Sequence, residues 1–281
     1  MINKNTAALS APEALSILHW YHSMGVDEAV SDTSEAKAGW APNAPVAPTE
    51  APGDNTIPFP TAQTKPAAKP LQGQAEAIAE ARALAQSATS LAELREAIMG
   101  FHGCSLRKTA MNTVFADGNP EARIMFVGEA PGAEEDKKGI PFCGPSGQLL
   151  DKMLSAIGLT REGPTDSSFY ISNTLFWRPP GNRQPTPEEI EICRPFVEKH
   201  IALVNPKLLV AVGGTATKAL LGETRGITRI RGQILSYKTD LITAAIPTHI
   251  LYHPSFLLRQ PAAKRQSWGD LLQIKQALLG A

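Results

Sequence analysis

The sequence predicts an α/β fold built on a parallel sheet with helices on both faces. Three observations carry this. From Arg123 onward, short apolar runs alternate with helical patterns, as βαβ units do. The runs are continuously apolar rather than alternating, as strands buried on both faces are. Each run is followed by a Gly, Asn or His, at the point where open α/β sheets gather their chemistry.

Taken in order, residues 1–33 read as an N-terminal helical arm, with Leu9, Leu15, Leu18, Trp20 and Tyr21 as its apolar positions. The arm is expected to dock on the globular part; binding of a protein partner through Trp20 and Tyr21 is the alternative. Residues 34–72 are dominated by Ala, Pro, Thr, Gly and Gln. Such a stretch buries too little apolar surface to offset its ordering entropy, so it is expected to be a flexible linker. Residues 73–281 are expected to form the globular domain. A helical pattern runs with interruptions over 74–99, and four strands are expected at 124–127, 169–172, 208–212 and 248–252. Helices are expected at 146–157, 187–204, 215–221 and about 264–279.

Composition narrows the function. The chain has 281 residues, 43% of them hydrophobic, which suits a buried core. Its 27 basic and 27 acidic residues cancel, but unevenly: the segment up to Gln86 carries a net −4 and the remainder +4. That excess is a weak pointer to an acidic partner, since a local patch matters more than the total. Cys104, Cys143 and Cys193 are too few and too scattered for a disulfide framework and suit a reducing cytoplasm. No apolar stretch approaches the roughly 18 residues a membrane span needs, and His19 and His22 interrupt the one apolar run near the N-terminus. The expectation is a soluble cytoplasmic protein without a membrane partner.

The strand ends carry the chemistry. The first is followed by Gly128-Glu129-Ala130-Pro131-Gly132, the second by Asn173 and then Arg178-Pro179-Pro180-Gly181-Asn182-Arg183, the third by Gly213-Gly214-Thr215, and the fourth by His253-Pro254-Ser255. In a parallel sheet all four ends lie along one edge, so a carboxylate, a carboxamide, a glycine turn opening a helix and an imidazole converge on one crevice. An Asn side chain offers a paired donor and acceptor, the geometry that reads a nucleobase edge. Phe142 could supply a stacking face beside it, core packing being its plainer reading. The Gly214-Thr215 helix start and Ser255 could hold phosphates through backbone N–H groups. Arg178, Arg183, Arg229, Arg231, Arg259, Lys264 and Arg265 lie near the same loops, where a solvated surface is the plainer reading.

Taken together, these segments resemble the uracil-DNA glycosylase superfamily, and within it family 4. The resemblance rests on residues 128–136 with Pro141-Phe142, on 170–173 through 178–183, on Arg231-Gly232 and on 253–259, with 115–120 also fitting. It spans roughly residues 95–280. It implies a three-layer α/β/α sandwich around a short four-stranded parallel sheet, and hydrolysis of the glycosidic bond of uracil in DNA to leave an abasic site. By motif position Glu129 would place the attacking water and stabilise the sugar cation, and His253 would hydrogen-bond the departing uracil. Phe142 would stack on the base, Asn173 would read its edge, Gly128 would let the ligand approach, and Glu135 would disfavour a 5-methyl group. Gly214, Ser255 and Arg259 would contact DNA, with Leu257 or Leu258 as the wedge filling the vacated stack.

The family resemblance also implies a four-cysteine iron–sulfur cluster. Two of its ligand positions hold Cys104 and Cys193; the other two hold Phe101 and Trp177. Two thiolates do not make the usual set of four, so the sequence expectation is no cofactor and no metal. Two other functions stand beside the main one: a non-catalytic module binding uracil or abasic DNA, and a glycosylase for other deaminated bases. The segment after His253 contains no second histidine, which argues against covalent trapping of DNA.

Overall fold

A computed structural model describes residues 72–280. The expected arm at 1–33 and the linker up to residue 71 lie outside the described residues. Helix α1 (Gln72–Ser87) is Ala-rich and buries Ala77, Ala81 and Ala85, one residue per turn along a single stripe. Helix α2 (Leu91–Gly100) starts at Ser90, whose hydroxyl accepts from Glu93 N–H at 3.2 Å, and buries Leu94 and Ile98. This capped break divides the helical pattern expected over 74–99.

The sheet follows. Strand β1 (Ala116–Gly118) is short; β2 (Ile124–Gly128) is buried at every residue. After β2 come α3 (Ala133–Lys138) and α4 (Pro145–Ser155), then β3 (Tyr170–Asn173). Helix α5 (Pro187–Val204) begins with a reciprocal cap between Thr186 and Glu189, has Pro187 at its first position, and ends at Asn205 in the left-handed conformation. Strand β4 (Leu208–Val212), α6 (Gly214–Leu221), α7 (Ile227–Ile230), β5 (Leu235–Tyr237), β6 (Ile246–Leu251), α8 (Pro254–Arg259) and α9 (Lys264–Leu279) complete the described chain.

The strand order is β1-β3-β2-β4-β6-β5. The four central strands are parallel, as the alternating pattern predicts; β1 and β5 add antiparallel edges. The expected four-stranded sheet is therefore corrected to six. Both added strands are three residues long, too short for a period-two pattern to register in the sequence. Met125 and Val127 pack into the core formed with α1, α2 and α5, while Ile124 and Phe126 alternate to the other face. There α4 and α8 pack together and α9 lies along β6. Both faces of β2 are covered, which is why its sequence is apolar throughout.

The register fixes the functional edge. Gly128 is directly beside Asn173, Val127 beside Ala211, and Val212 beside Leu251. The carboxyl ends of all four parallel strands are thus level. The chain leaves β2 toward β3 and returns across it to β4, so the order reverses at β2 and opens a crevice there. Among the described residues, no helix is long and apolar enough to cross a membrane.

Candidate active site

A cavity of about 1000 Å³ opens over these strand ends, and Glu129, Glu135, Phe142, Asn173, Gly214, His253, Ser255 and Arg259 all line it. Glu129 is placed by its backbone: its carbonyl accepts from Leu175 N–H at 3.2 Å and from the Thr174 hydroxyl at 2.6 Å. The β2–β3 ladder therefore continues one residue past the strand and holds the carboxylate at the crevice.

Asn173 is only 2% exposed, and its Oδ1 is buried without a hydrogen-bond partner. Leaving a buried acceptor unpaired costs about 1–3 kcal/mol, a cost that a donor entering the cavity would remove. The close quarters depend on Gly128: a Cβ there would lie 2.4 Å from Phe142 Cζ and 2.5 Å from Asn173 Oδ1. Gly128→Ala is expected to lower unfolding stability by about 1–3 kcal/mol, the usual range for overpacking, as read by urea titration. An unchanged midpoint would mean that the ring and the amide are not held at these positions.

Phe142 has φ +53°, a conformation that costs a non-glycine residue on the order of 1–3 kcal/mol and is concentrated at functional sites. Its ring is 5% exposed and its centroid lies 5.8 Å from that of His253. Glu135 also lines the cavity. Its two carboxylate oxygens accept from Gly132 N–H at 3.1 Å and Gly144 N–H at 2.9 Å, joining the loop after β2 to the start of α4.

His253 caps α8. Its Nδ1 accepts from Ser255 N–H at 3.2 Å and lies 2.7 Å from Ser255 Oγ. A backbone N–H can only donate, so Nδ1 is the unprotonated nitrogen and the ring hydrogen is on Nε2. Burial, aided by the charge of Arg259 and opposed by that of Glu135, pushes His253 down to about 4. At neutral pH it is an uncharged donor.

Burial also lowers His200, to about 3, and His249. All three histidines titrate lower in the folded protein than their unfolded value of about 6.5. The unfolded chain therefore binds more protons below that pH, and stability present above pH 6.5 is lost as pH falls toward the folded values. Asp270, raised to about 6 by burial against its pairing with Arg231, acts in the opposite sense between about pH 4 and 6. Asp151 and Glu198 are likewise raised by burial, but the three histidines, two of them lowered to about 4 and about 3, outweigh these carboxylates. The thermal midpoint is accordingly expected to fall steadily below pH 6.5 in differential scanning calorimetry; a midpoint rising toward pH 5 would contradict it.

The structure redistributes some expected roles. Leu257 is fully buried, whereas Leu258 is 47% exposed; the helical phase of α8 removes Leu257 from any surface role and corrects its assignment as a wedge. Ser255 turns its hydroxyl onto His253 and donates its backbone N–H to the same ring nitrogen, so the N–H expected to hold a phosphate is spent on the imidazole. Gly128 lies behind Phe142 and Asn173 rather than in the cavity wall. Gly214 opens α6 at the cavity edge, and Gly213 (φ +95°) brings β4 against His253, where its Cβ would lie 3.1 Å from that of the histidine. Arg183, at the rim, is tied to Glu189 through two bonds of 2.6 and 2.9 Å.

Sequence reasoning missed Arg161. It donates to the carbonyls of Pro141 (3.0 Å) and Phe142 (2.7 Å) and pairs with Asp117 and Asp151. No local motif marks it, because its partners are 10 to 44 residues away.

On the α1/α2/α5 side, Cys104 and Cys193 are free and buried, with their thiols hydrogen-bonded to each other. That bond, then burial, raises Cys193 well above an ordinary thiol. Phe101 and Trp177 lie alongside, fully buried, with ring centroids 6.5 Å apart. Among the described residues no group of three or more His, Cys, Asp or Glu is arranged to hold a metal ion.

A sequence profile of the Uracil DNA glycosylase superfamily matches residues 115–272. The type-4 uracil-DNA glycosylase of Archaeoglobus fulgidus is 37% identical over 189 residues, covering 66% of this chain and 92% of that protein. The Thermotoga maritima type-4 enzyme is 42% identical over 157 residues, covering 56% and 77%. A type-5 uracil-DNA glycosylase from Thermus thermophilus is 37% identical over 116 residues, covering 38% and 52%.

These type-4 relatives overturn the expectation of no cofactor, because they place the chain with the class for which the resemblance implies an iron–sulfur cluster. The side chains at the implied positions are two thiols and two large apolar rings. They do not match a four-thiolate set. With the profile spanning more than half its length and relatives matched over most of theirs, the chain belongs to the uracil DNA glycosylase superfamily as a type-4-like member.

Proposed function

We propose that this chain hydrolyses the N-glycosidic bond of uracil in DNA and leaves an abasic site. The observation that carries this reading is the unpartnered Asn173 Oδ1, buried beside Phe142 in a cavity shared with Glu129 and His253. The names of the type-4 relatives support it.

A base inside a duplex is out of reach, so it must leave the stack and enter the pocket. There Phe142 offers a stacking face. Asn173 Oδ1 accepts the N3–H of uracil and the amide NH₂ donates to O4. Cytosine presents an acceptor and a donor in the reverse positions, leaving both groups of Asn173 mismatched.

Cleavage of the C1′–N1 bond places positive charge on the sugar and negative charge on the departing base. Preorganised groups aimed at those charges lower the barrier. Glu129 faces the sugar cation and orients the attacking water. The neutral His253 donates its Nε2–H to the uracil anion, Ser255 holding the ring in that tautomer. At the cavity wall the N–H groups at Gly214 and the side chain of Arg259, with the exposed Leu258 on the same helix as Arg259, meet the DNA.

The test is incubation with single-stranded and duplex oligonucleotides carrying uracil, hypoxanthine or cytosine, followed by alkaline cleavage and denaturing electrophoresis. Abasic sites at uracil alone are expected. Tight binding without cleavage would favour a recognition module, and cleavage at hypoxanthine would favour a broader glycosylase.

A further inference from the structure

We propose that Arg161 is a positioning residue of the base pocket, gripping the carbonyls of Pro141 and Phe142 so that Phe142 stays in the conformation that turns its ring to the cavity. This rests on reading Phe142 as the platform for the base.

A phenylalanine at φ +53° does not hold itself there, because its Cβ crowds the backbone in the left-handed region. Two neighbours hold it. Gly147, in the first turn of α4, lets the Phe142 backbone rest on the helix: a Cβ at that position would lie 1.6 Å from the Phe142 carbonyl oxygen. From the other side Arg161 Nη2 donates to that same oxygen at 2.7 Å, and Nη1 donates to the Pro141 carbonyl at 3.0 Å.

The guanidinium is itself fixed. Nε bonds Asp151 at 3.0 Å, Nη1 also bonds Asp117 at 2.7 Å, and the group lies over the Phe169 ring, 5.8 Å from its centroid. Its side chain is 18% exposed. A planar fork meets two successive carbonyls and two carboxylates at once; a lysine ammonium is a point charge with three donors and no fork. Arg161 does not line the cavity, so any effect on the reaction passes through Phe142. The competing explanation is an ion-paired brace between β1, α4 and the loop before β3 that contributes only stability.

Arg161→Lys is expected to lower single-turnover excision of uracil by roughly 10- to 100-fold, the scale on which small misplacements act. Affinity for uracil-free DNA should stay within about twofold of the parent, since the rim is untouched. In a Phe142→Ala background the same substitution should lower excision further by less than about twofold, because the ring it positions is gone. Asp117→Asn, which weakens the ion pair but keeps the fork on both carbonyls, should lower the thermal midpoint and leave excision within about twofold of the parent. Equal losses from Arg161→Lys with and without Phe142, no loss in the parent, or a loss from Asp117→Asn as large as that from Arg161→Lys would each overturn the proposal.

A readout without turnover separates this from the function itself. With 4-fluorophenylalanine at position 142, the fluorine resonance should shift or split in Arg161→Lys; an unchanged single line would overturn the clamp. If Phe142→Ala leaves uracil excision intact, the stacking role of Phe142 fails, and the fluorine spectrum still judges the grip of Arg161.

Discussion

Asn173→Leu is expected to abolish most uracil excision while leaving the unliganded protein at least as stable as the parent. The substitution keeps the side-chain volume and removes an amide whose Oδ1 is buried and unpaired. Loss of one preorganised hydrogen-bonding group at a reacting centre costs on the order of 10²- to 10³-fold. The same change removes an acceptor that costs the empty pocket about 1–3 kcal/mol, so the melting midpoint should hold or rise. Single-turnover assays and calorimetry on the same preparation check both halves. A variant that excises uracil at the parental rate would remove Asn173 from base recognition; one that melts far below the parent would show that the amide supports the fold. Discrimination should collapse together with rate, because a site built to hydrogen-bond one edge rejects the wrong edge by leaving buried groups unpaired.

His253→Ala carries the second large effect, again on the order of 10²- to 10³-fold in the single-turnover rate. The geometry adds a pH signature. Ser255 N–H occupies Nδ1 and the neutral ring carries its hydrogen on Nε2. With a folded value of about 4, the imidazole stays uncharged throughout the neutral range, so the contribution of His253 should be flat from about pH 6 to 8. It should change only as pH approaches 4, where protonated Nδ1 can no longer accept from Ser255. A rate that titrates near pH 6.5 in the parent and loses that step in His253→Ala would mean the histidine works in its charged form.

The central architecture was legible because its signals are local. Apolar runs marked the four parallel strands, and what followed each run marked the edge of the sheet. Those signals put Glu129, Asn173 and His253 at one crevice, and the three side chains do line a common cavity. Features that depend on distant partners were not legible. Nothing around Ala116 or Leu235 announces an edge strand, because three residues carry no period and their pairing is decided by β3 and β6. Leu257 and Leu258 are chemically identical neighbours, and only the rotation of α8 sends one inward and the other out. Arg161 had no signal at all: it acts through segments that adjoin it only after folding. The cofactor expectation went wrong for a different reason. It argued from two missing cysteines, whereas class membership came from the whole domain.

If the cavity takes uracil as proposed, one carboxylate also limits which bases it admits. Glu135 spends one oxygen on Gly132 N–H, in its own helix turn, and the other on Gly144 N–H, so the starts of α3 and α4 are tethered like the jaws of a fixed-width gauge. For a pyrimidine seated on Phe142, an added methyl group cannot be accommodated by spreading the jaws without breaking a charge-assisted bond. On that reading, rejection of a bulkier base comes from the stiffness of the frame and not from any single atom touching the methyl.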